Sequence, residues 1–316
     1  MLDKNKLIKK IIKIKNFKII SYEPFDSVII DFLNDFSNYL KKYKKISKYP
    51  DLIYLMFWCT KKRIELLLNN YKENEIRLGR GLIFHICPSN VPTNFVYSFF
   101  FGLISGNSNI VKLPSKSFIE KDIILSAFSF LFKKKKYQKI KNSNYFIKYN
   151  NENDLTEKIS SISDGRVIWG GDKTINEIRK IWIPERCTEI TFPDRYSLSL
   201  INIDKLKNEN KSSIKIIAKK FYYDSYTMNQ SACNSPHFVF WVGKKNIKIQ
   251  NIFWNTLNQI VKKKFIFDDI HVVDKYSNLI DNIINQKKFR YIKRFDNSLY
   301  VLDVDKNTND IENIRG

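Results

Sequence analysis

The sequence is poor in the residues that form covalent cross-links and metal sites. It has four cysteines and three histidines among 316 residues. The cysteines lie far apart and form no Cys-x-x-Cys pair, so their spacing predicts neither a zinc site nor a disulfide framework. The histidines, His85, His237 and His271, are too widely separated to suggest a metal cluster. This pattern is typical of a protein from a reducing compartment and predicts no bound metal.

Long hydrophobic runs are also missing. The longest, around residues 95–105, is interrupted by serine and glycine and is shorter than the roughly 20 residues that a membrane-spanning helix needs. Residues 1–20 are rich in lysine, contain Asp3 and lack the apolar stretch of a signal peptide. We therefore expect a surface helix or short strand there, no membrane span, and a location in the cytoplasm.

Acidic residues are few relative to basic ones. The chain has 32 Asp and Glu against 55 Lys and Arg, a net charge of +23. Nucleic-acid binders concentrate this charge on one face or interleave it with aromatic residues. Here the lysines are spread along the chain, with local runs only at 133–136 and 262–264. We interpret most of them as solvated faces and predict no nucleic-acid partner.

What the sequence does contain is an alternation of strand and helix patterns. An apolar run at 82–86 ends in a turn with two prolines, a helical pattern follows from residue 95, and a second apolar run at 110–113 is closed by Pro114. Strand, helix and strand over about 35 residues match a parallel βαβ unit, which binds ligands beyond the carboxyl ends of its strands. Polar turns with Asn90 and Ser115 stand at these two ends. They are where a dinucleotide and its substrate would sit.

A further strand pattern at 166–169 continues directly into Gly170 and Gly171. Glycine at a strand-to-helix junction lets backbone N–H groups approach a phosphate at the helix N-terminus. The alternative is an ordinary turn, and one Gly-Gly pair does not decide between them. Helical patterns are also predicted over 28–71, 208–220, 249–261 and 278–286, and strands over 195–203, 265–273 and 298–304.

The segment 226–237 places Cys233 among small and amide-bearing residues, just before an apolar run at 238–241 that predicts a strand. A thiol on such a turn can act as a nucleophile, because backbone N–H groups there can stabilise an oxyanion. The alternative, a buried structural cysteine, is the commoner fate of a lone Cys.

Four segments together resemble a known family. They are Gly-Arg-Gly-Leu-Ile-Phe-His-Ile-Cys-Pro-Ser-Asn-Val-Pro at 79–92, the segment 102–112, Asp-Arg-Tyr-Ser at 194–197, and Asn-Gln-Ser-Ala-Cys-Asn-Ser-Pro-His at 229–237. They resemble the LuxC-type acyl-CoA reductases, a branch of the aldehyde dehydrogenase superfamily. The resemblance implies an α/β, aldehyde dehydrogenase-like fold. It further implies a helical lead-in and Rossmann-like NAD(P)-binding domain over 1–197, and an α/β catalytic domain over 198–316 that is shortened at its C-terminus relative to the family.

The resemblance also implies roles for individual residues. Cys233 matches the nucleophile, and Asn90 matches the asparagine whose amide helps to hold the oxyanion. Lys112 matches the lysine that holds the adenosine ribose of the cofactor. NAD-preferring relatives have a glutamate three residues after that lysine, where this sequence has Ser115 followed by Lys116. A carboxylate would repel a 2′-phosphate, whereas a hydroxyl and an ammonium would accept one, so we expect NADP as the cofactor.

Two departures from the superfamily concern the cofactor turn and the catalytic base. Gly170 and Gly171 resemble the pyrophosphate turn, but Ile175 stands where a further glycine is expected. Aldehyde-oxidising members also have a general-base glutamate that activates water, and residues 191–194 here contain none. Its absence suits an enzyme that runs in the reductive direction. Glu189 is close enough in sequence to act as a substitute base, and His237 could donate a proton, although a histidine between proline and phenylalanine is more often structural.

The implied activity is NADPH-dependent reduction of a fatty acyl thioester to a fatty aldehyde through an acyl-cysteine. Acyl-transferase or acyl-protein synthetase partners are then expected, as in a luminescence system. The alternative is a truncated, catalytically impaired subunit that accepts an acyl group or docks on a reductase complex. The sequence leaves the acyl chain length, the acyl donor and the formation of homo-oligomers open.

Overall fold

The computed structural model describes residues 16–71, 76–88, 91–149, 153–195, 197–207, 211–226, 230, 232, 234–265, 269–285 and 289–304. The chain divides into two compact units, Met1–Asp194 and Arg195–Gly316. The expected domain boundary, at 197, lies close to this division, and the function expected of each domain stays a prediction.

The first unit alternates helices with strands. Its elements are α1 (Ser27–Lys41), α2 (Pro50–Trp58), α3 (Lys61–Asn70), β1 (Leu82–Ile86), α4 (Asn94–Ile104), β2 (Ser108–Lys112), α5 (Ile119–Leu131), α6 (Gln138–Ser143), β3 (Asn144–Ile147), α7 (Asn153–Ser160), β4 (Gly165–Gly170), α8 (Asp172–Arg179) and β5 (Thr188–Pro193). Short 3-10 turns stand at Ile46–Lys48 and Lys135–Tyr137. The helical lead-in and the βαβ unit predicted from the sequence are confirmed.

The strands of this unit form one parallel sheet in the order β3-β2-β1-β4-β5. All five residues of β1 are buried, as expected for a central strand covered on both faces. The chain runs from β1 to β2 and β3 on one side and returns to β4 and β5 on the other. Doubly wound sheets bind ligands where the strand order reverses in this way, beyond the carboxyl ends of the strands. Here that position lies between β1 and β4.

Aromatic side chains fill the core between the sheet and helices α1, α4 and α5. The Phe128 ring lies 5.5 Å from the Phe99 centroid and 5.1 Å from that of Phe146. Phe36 packs edge-on to Phe100 at 5.1 Å. Aromatic pairs of this geometry add about 1 kcal/mol each beyond the burial of their area. The phenylalanine-rich pattern of α5 therefore anchors one face of the sheet.

A buried polar network ties α4 to β1 and β2. The Ser98 hydroxyl lies 2.8 Å from His85 Nδ1, and Asn109 Oδ1 lies 2.9 Å from His85 Nε2. Asn109 Nδ2 in turn donates to Asn144 Oδ1 at 2.7 Å. Burial lowers the pKa of His85 to about 4, so the imidazole is neutral. His85 is a core residue, as its place on an apolar strand predicts.

Asp51 is a buried carboxylate in the first turn of α2. It is 6% exposed, and its Oδ1 accepts a hydrogen bond from the Leu52 backbone N–H at 2.8 Å. Within the described residues its Oδ2 has no hydrogen-bond partner. Burial, together with the charge of Glu120, raises the pKa of Asp51 to about 7. The folded state therefore binds this proton more tightly than the unfolded state does.

We expect Asp51→Asn to stabilise the protein relative to wild type increasingly as the pH rises. Because the pKa of Asp51 is higher in the folded state than the unfolded value of 3.8, its stabilising contribution is complete only below pH 3.8. That contribution is lost as the pH rises to about 7. The free energy of unfolding of the variant should gain up to about 4 kcal/mol on that of wild type between pH 4 and pH 8. Urea unfolding of both proteins at the two pH values measures this difference. The control is Asp31→Asn at an exposed position, which should change the free energy of unfolding by less than about 0.5 kcal/mol. A difference between Asp51→Asn and wild type that does not depend on pH would contradict the account.

The second unit has its own core. Its elements are β6 (Ser197–Asn202), α9 (Ile203–Lys207), α10 (Lys211–Tyr226), β7 (Pro236–Val242), α11 (Ile247–Lys264), α12 (Asp269–Asn285), β8 (Phe289–Phe295) and β9 (Leu299–Val304). Strands β6 and β7 pair in parallel, and β8 and β9 form an antiparallel hairpin. Phe221, Phe253 and Trp254 pack between α10 and α11. Among all the described residues, helices that combine the length and the hydrophobicity needed to cross a membrane are not found.

The strand predicted over 265–273 is wrong for the part that the structure describes. From Asp269 the chain is helical and continues as α12 to Asn285. The β-branched run at 270–273 favours a strand locally. The helix prevails because apolar residues recur at helical spacing as far as Leu279, which is buried.

Candidate functional site

Lys112 lies at the carboxyl end of β2, next to the central strand. It pairs with Ile86, the last residue of β1, and with Ile147 of β3. Its ammonium lies 4.4 Å from the centroid of the Tyr149 ring, a cation–π contact that fixes the direction of the side chain. Burial lowers the pKa of Lys112. The sequence predicts a cofactor-binding lysine here, and the structure gives it a fixed position at the ligand-binding edge of the sheet.

Ser115 and Lys116 follow Lys112 in the turn before α5, and both are exposed. The turn is held from two sides. Lys121 donates from its ammonium to the backbone oxygen of Lys116 at 3.2 Å, and the Leu113 N–H donates to the Ile147 oxygen at 2.8 Å. The anchored turn thus places a hydroxyl and an ammonium on the surface shortly after Lys112, and both are groups that can hydrogen-bond an anionic oxygen.

Gly170 and Gly171 form the turn from β4 into α8. Gly171 is the N-cap of the helix, with φ −68° and ψ 159°. A Cβ built on Gly171 meets no described atom within 4 Å, and one built on Gly170 only touches Thr174 at 3.4 Å. The side-chain positions of both glycines are thus unobstructed next to the N-terminus of α8, the kind of place where an anion can bind. Ile175 is 5% exposed and packs in the core with Ile168, so this departure from the superfamily leaves the open side of the turn clear.

Trp169 fixes the strand end that precedes these glycines. Its ring stacks on that of Phe192 of β5, with the centroids 4.0 Å apart. Its indole N–H donates to the Ser98 hydroxyl at 3.1 Å. Ser98 also contacts His85, so the polar network of the core extends to the residue that precedes the Gly170-Gly171 turn. The pattern of the sequence did not predict this connection, because Ser98 and Trp169 are 71 positions apart.

Two of the predicted residues, Cys233 and Asn90, lie outside the described residues. The other three cysteines are described, and burial raises the pKa of each. The pKa of the Cys87 thiol, at the end of β1, rises to about 12. Thiols of this kind are poor nucleophiles at neutral pH. His237 lies partly buried in β7.

Glu189, considered above as a substitute base, lies away from the carboxyl ends of the strands. It is near the amino end of β5, paired with Arg166 of β4, whereas Gly170 pairs with Pro193 at the carboxyl end. The strand rise of about 3.3 Å per residue puts roughly 13 Å between the two levels. The Arg166 guanidinium donates to the Glu189 carboxylate from Nε at 2.8 Å and from a second nitrogen, and Arg179 lies 3.1 Å away. Glu189 therefore neutralises a buried arginine.

In the second unit, described residues on both sides of Cys233 are hydrogen-bonded. Gln230 has a left-handed backbone, with φ 60°, and its N–H donates to the Ser225 oxygen at 2.9 Å. Lys275 of α12 donates from its ammonium to the Gln230 side-chain oxygen. Burial lowers the pKa of Lys275 to about 8. The sequence did not predict a role for Lys275, which lies two residues after the segment 265–273 that was predicted as a strand.

Comparisons with known proteins agree with this architecture. PutA from Anabaena variabilis has a TM-score of 0.54 at 10% identity over 87% of this chain, and AldH from Staphylococcus aureus has 0.57 at 13% over 90%. A lactaldehyde dehydrogenase has 0.58 at 13% over 88%. The chain spans 63%, 67% and 65% of these three proteins. No curated protein matches the chain in sequence. At these identities the likeness shows the fold, which is that of the aldehyde dehydrogenases.

The family model described as acyl-CoA reductase (LuxC) matches residues 54–267. The match covers more than half of the chain and includes the β1 turn, Lys112, the Gly170 turn and the segment around Cys233. The chain belongs to the LuxC family of acyl-CoA reductases.

Proposed function

We propose that the protein reduces a fatty acyl thioester to a fatty aldehyde, with NADPH as the reductant and Cys233 as the acyl carrier. One observation supports this most directly. The Lys112 ammonium and the open Gly170-Gly171 turn lie at the carboxyl ends of the strands on either side of β1. Two strand spacings, about 10 Å, separate these ends. That spacing suits a dinucleotide held at its ribose and at its pyrophosphate.

The residues at this edge match NADPH chemically. Lys112 would bind the adenosine ribose, the N–H groups of Gly171 and the following turn would bind the pyrophosphate, and Ser115 with Lys116 would bind the 2′-phosphate. Each contact pairs an anionic or hydroxyl group of the cofactor with a donor of the chain. When bound, the nicotinamide supplies the hydride that converts the acyl group to an aldehyde.

The acyl transfer uses side chains of the chain itself. The Cys233 thiolate attacks the thioester carbonyl, the thiol of the donor leaves, and the acyl group stays on the Cys233 sulfur. As the resemblance to the family implies, the Asn90 amide and backbone N–H groups would hold the oxyanion, and one such donor is worth about 3 kcal/mol. Cys233 is the candidate nucleophile because it matches the nucleophile of the family, and burial raises the thiol pKa of Cys59, Cys87 and Cys187, which suits them less to that role. Glu189 is ion-paired with Arg166 and Arg179, which makes it a poor base for the activation of water.

The proposal is tested by incubating the full chain with a long-chain acyl-CoA and NADPH in a reducing buffer, which matches the cytoplasmic location that we expect for the protein. NADPH oxidation should equal aldehyde release, trapped as a hydrazone. Acylation of the protein without aldehyde would instead favour an acyl-accepting subunit of a reductase complex, with a transferase or synthetase as its partner. If neither acylation of the protein nor oxidation of NADPH is detected, the reductase function and the acyl-accepting function are both contradicted.

Ser115→Glu should reverse the cofactor preference. A carboxylate three residues after Lys112 repels the 2′-phosphate but can accept hydrogen bonds from the ribose hydroxyls of NADH. The Kd for NADPH should rise about tenfold or more, and the Kd for NADH should change less than about threefold. Fluorescence titration of both cofactors measures this. Ser126→Glu, an exposed serine of α5, controls for net charge. Equal weakening of both cofactors would rule out the assignment of Ser115 and Lys116 to the 2′-phosphate.

A further inference from the structure

We propose that Lys275 is a positioning residue for the reaction at Cys233, acting through Gln230. The inference rests on the proposed function, because it takes Cys233 as the acyl carrier. Lys275 belongs to α12 and Gln230 to the segment after α10, and 45 positions separate them in sequence. The ammonium of Lys275 is thus a tertiary support for the segment that leads into Cys233.

The ammonium is held in a defined place by three groups. It donates to the side-chain oxygen of Gln230, it donates to the backbone oxygen of Ser298 at 2.9 Å, and it lies 5.3 Å from the centroid of the Tyr226 ring. The Tyr226 hydroxyl donates to the same Ser298 oxygen at 2.9 Å. The Ser298 hydroxyl is itself bonded to Asn258 Oδ1 at 3.0 Å. The support is therefore anchored on α10, α11 and the β8–β9 turn.

The environment of Lys275 is not that of a surface lysine. Removal of the ammonium from water costs free energy, which its hydrogen bonds and the Tyr226 ring must offset. Hydrogen bonds from a charged donor are also stronger and more directional than neutral ones. A lysine that served only to solubilise α12 would point away from this cluster.

Gln230 links the Lys275 ammonium to the main chain that precedes Cys233. Its backbone is left-handed, which a residue with a Cβ adopts at a cost unless its surroundings fix it. Its N–H donates to the Ser225 oxygen at 2.9 Å, while its side chain accepts from Lys275. Main chain and side chain are thus both restrained, three residues before Cys233.

The other flank of Cys233 is restrained without Lys275. The Ser235 N–H donates to the Ala232 oxygen at 2.9 Å, and its hydroxyl donates to the Ser225 oxygen at 3.3 Å. The carbonyl of Ser225 therefore receives hydrogen bonds from both flanks. Loss of Lys275 releases one flank and keeps the other, so the acyl-transfer geometry should suffer more than the fold does.

The experiment measures single-turnover acylation of Cys233 by a long-chain acyl-CoA, for the full chain of each variant. Lys275→Met should lower the acylation rate at saturation about tenfold and leave the half-saturating concentration within about twofold, because a misplaced nucleophile loses attack geometry and keeps substrate binding. Lys275→Arg should recover most of the rate. Lys264→Met is the matched control, since Lys264 lies on the surface with its ammonium 2.9 Å from the Tyr223 hydroxyl, and it should keep the wild-type rate.

A double-mutant cycle tests the route through Gln230. Gln230→Ala should lower the rate about as much as Lys275→Met, and the double variant should be no slower than either. Additive losses, or a wild-type rate in Lys275→Met, would overturn the inference. If Lys275→Met does not fold, Gln230→Ala and Lys275→Arg carry the test, and an unchanged rate in Gln230→Ala overturns it. If the wild type is not acylated at Cys233, the proposed function itself fails. If the wild type is acylated and Lys275→Met is acylated at the same rate, only the role of Lys275 fails.

Discussion

Cys233→Ala should abolish aldehyde formation. In the proposed reaction the Cys233 thiolate forms the covalent bond that carries the acyl group, and the alanine methyl has no electron pair to replace it. Removal of a catalytic nucleophile typically costs a factor on the order of 10⁴ or more in rate. NADPH oxidation with a saturating acyl-CoA should therefore fall to the background rate, while the Kd for NADPH stays within about twofold. NADPH oxidation is followed by absorbance, and the Kd for NADPH is obtained from cofactor fluorescence.

Cys187→Ala is the matched control for this loss. Cys187 is only partly buried, stands just before β5, and has a thiol pKa raised by burial. It is the most accessible of the cysteines that the structure describes, so a nonspecific effect of losing a thiol would be visible there. The rate of this variant should equal that of wild type. Activity that persists in Cys233→Ala, or disappears in Cys187→Ala, contradicts the assignment of the acyl carrier.

Gly102→Ala should strongly destabilise the first unit. Gly102 lies in α4, where the helix packs against side chains of β1 and β2. A Cβ at this position would stand 2.2 Å from Asn109 Oδ1 and 2.9 Å from His85 Nε2. These side chains cannot move aside freely, because Asn109 is also bonded to Asn144 and His85 to Ser98. Overpacking and loss of a buried hydrogen bond together cost about 3 kcal/mol or more.

The measurement is the midpoint of thermal unfolding. A loss of this size should lower Tm by about 10 °C in a unit of this length. Gly171→Ala is the control, because its Cβ would meet open space and its φ of −68° suits any residue. Its Tm should change by less than about 2 °C. Equal Tm values for Gly102→Ala and wild type would show that α4 and the sheet are not packed as closely as described.

The sequence was informative wherever the pattern is local. The glycine and proline boundaries of β1 and β2 predicted the βαβ unit, and the run before Gly170 predicted β4. The strand order could not be obtained this way, since it depends on which strands pair across the sheet. The edge strand β5 was missed because Thr188–Pro193 exposes alternate residues and ends in proline. An edge strand tolerates such a pattern, whereas a central strand does not.

The site was predicted least well where distant residues meet. Glu189 was considered as a base because it is near the expected position in sequence, but its charge is neutralised by Arg166 and Arg179. Lys275 was not considered, because only tertiary packing brings it to Gln230. By contrast, the positions of Lys112 and the two glycines at strand ends were recognisable, and their binding roles stay predictions. Position along a strand is readable from the sequence, and partners across the fold are not.

The most direct test of the account is mass spectrometry of the peptide that contains Cys233, after the wild-type protein is mixed with an acyl-CoA in the absence of reductant. The account predicts that this peptide gains the mass of one acyl group, and that NADPH then removes the group as free aldehyde. An adduct on another residue, or no adduct under conditions where aldehyde is produced, would contradict it.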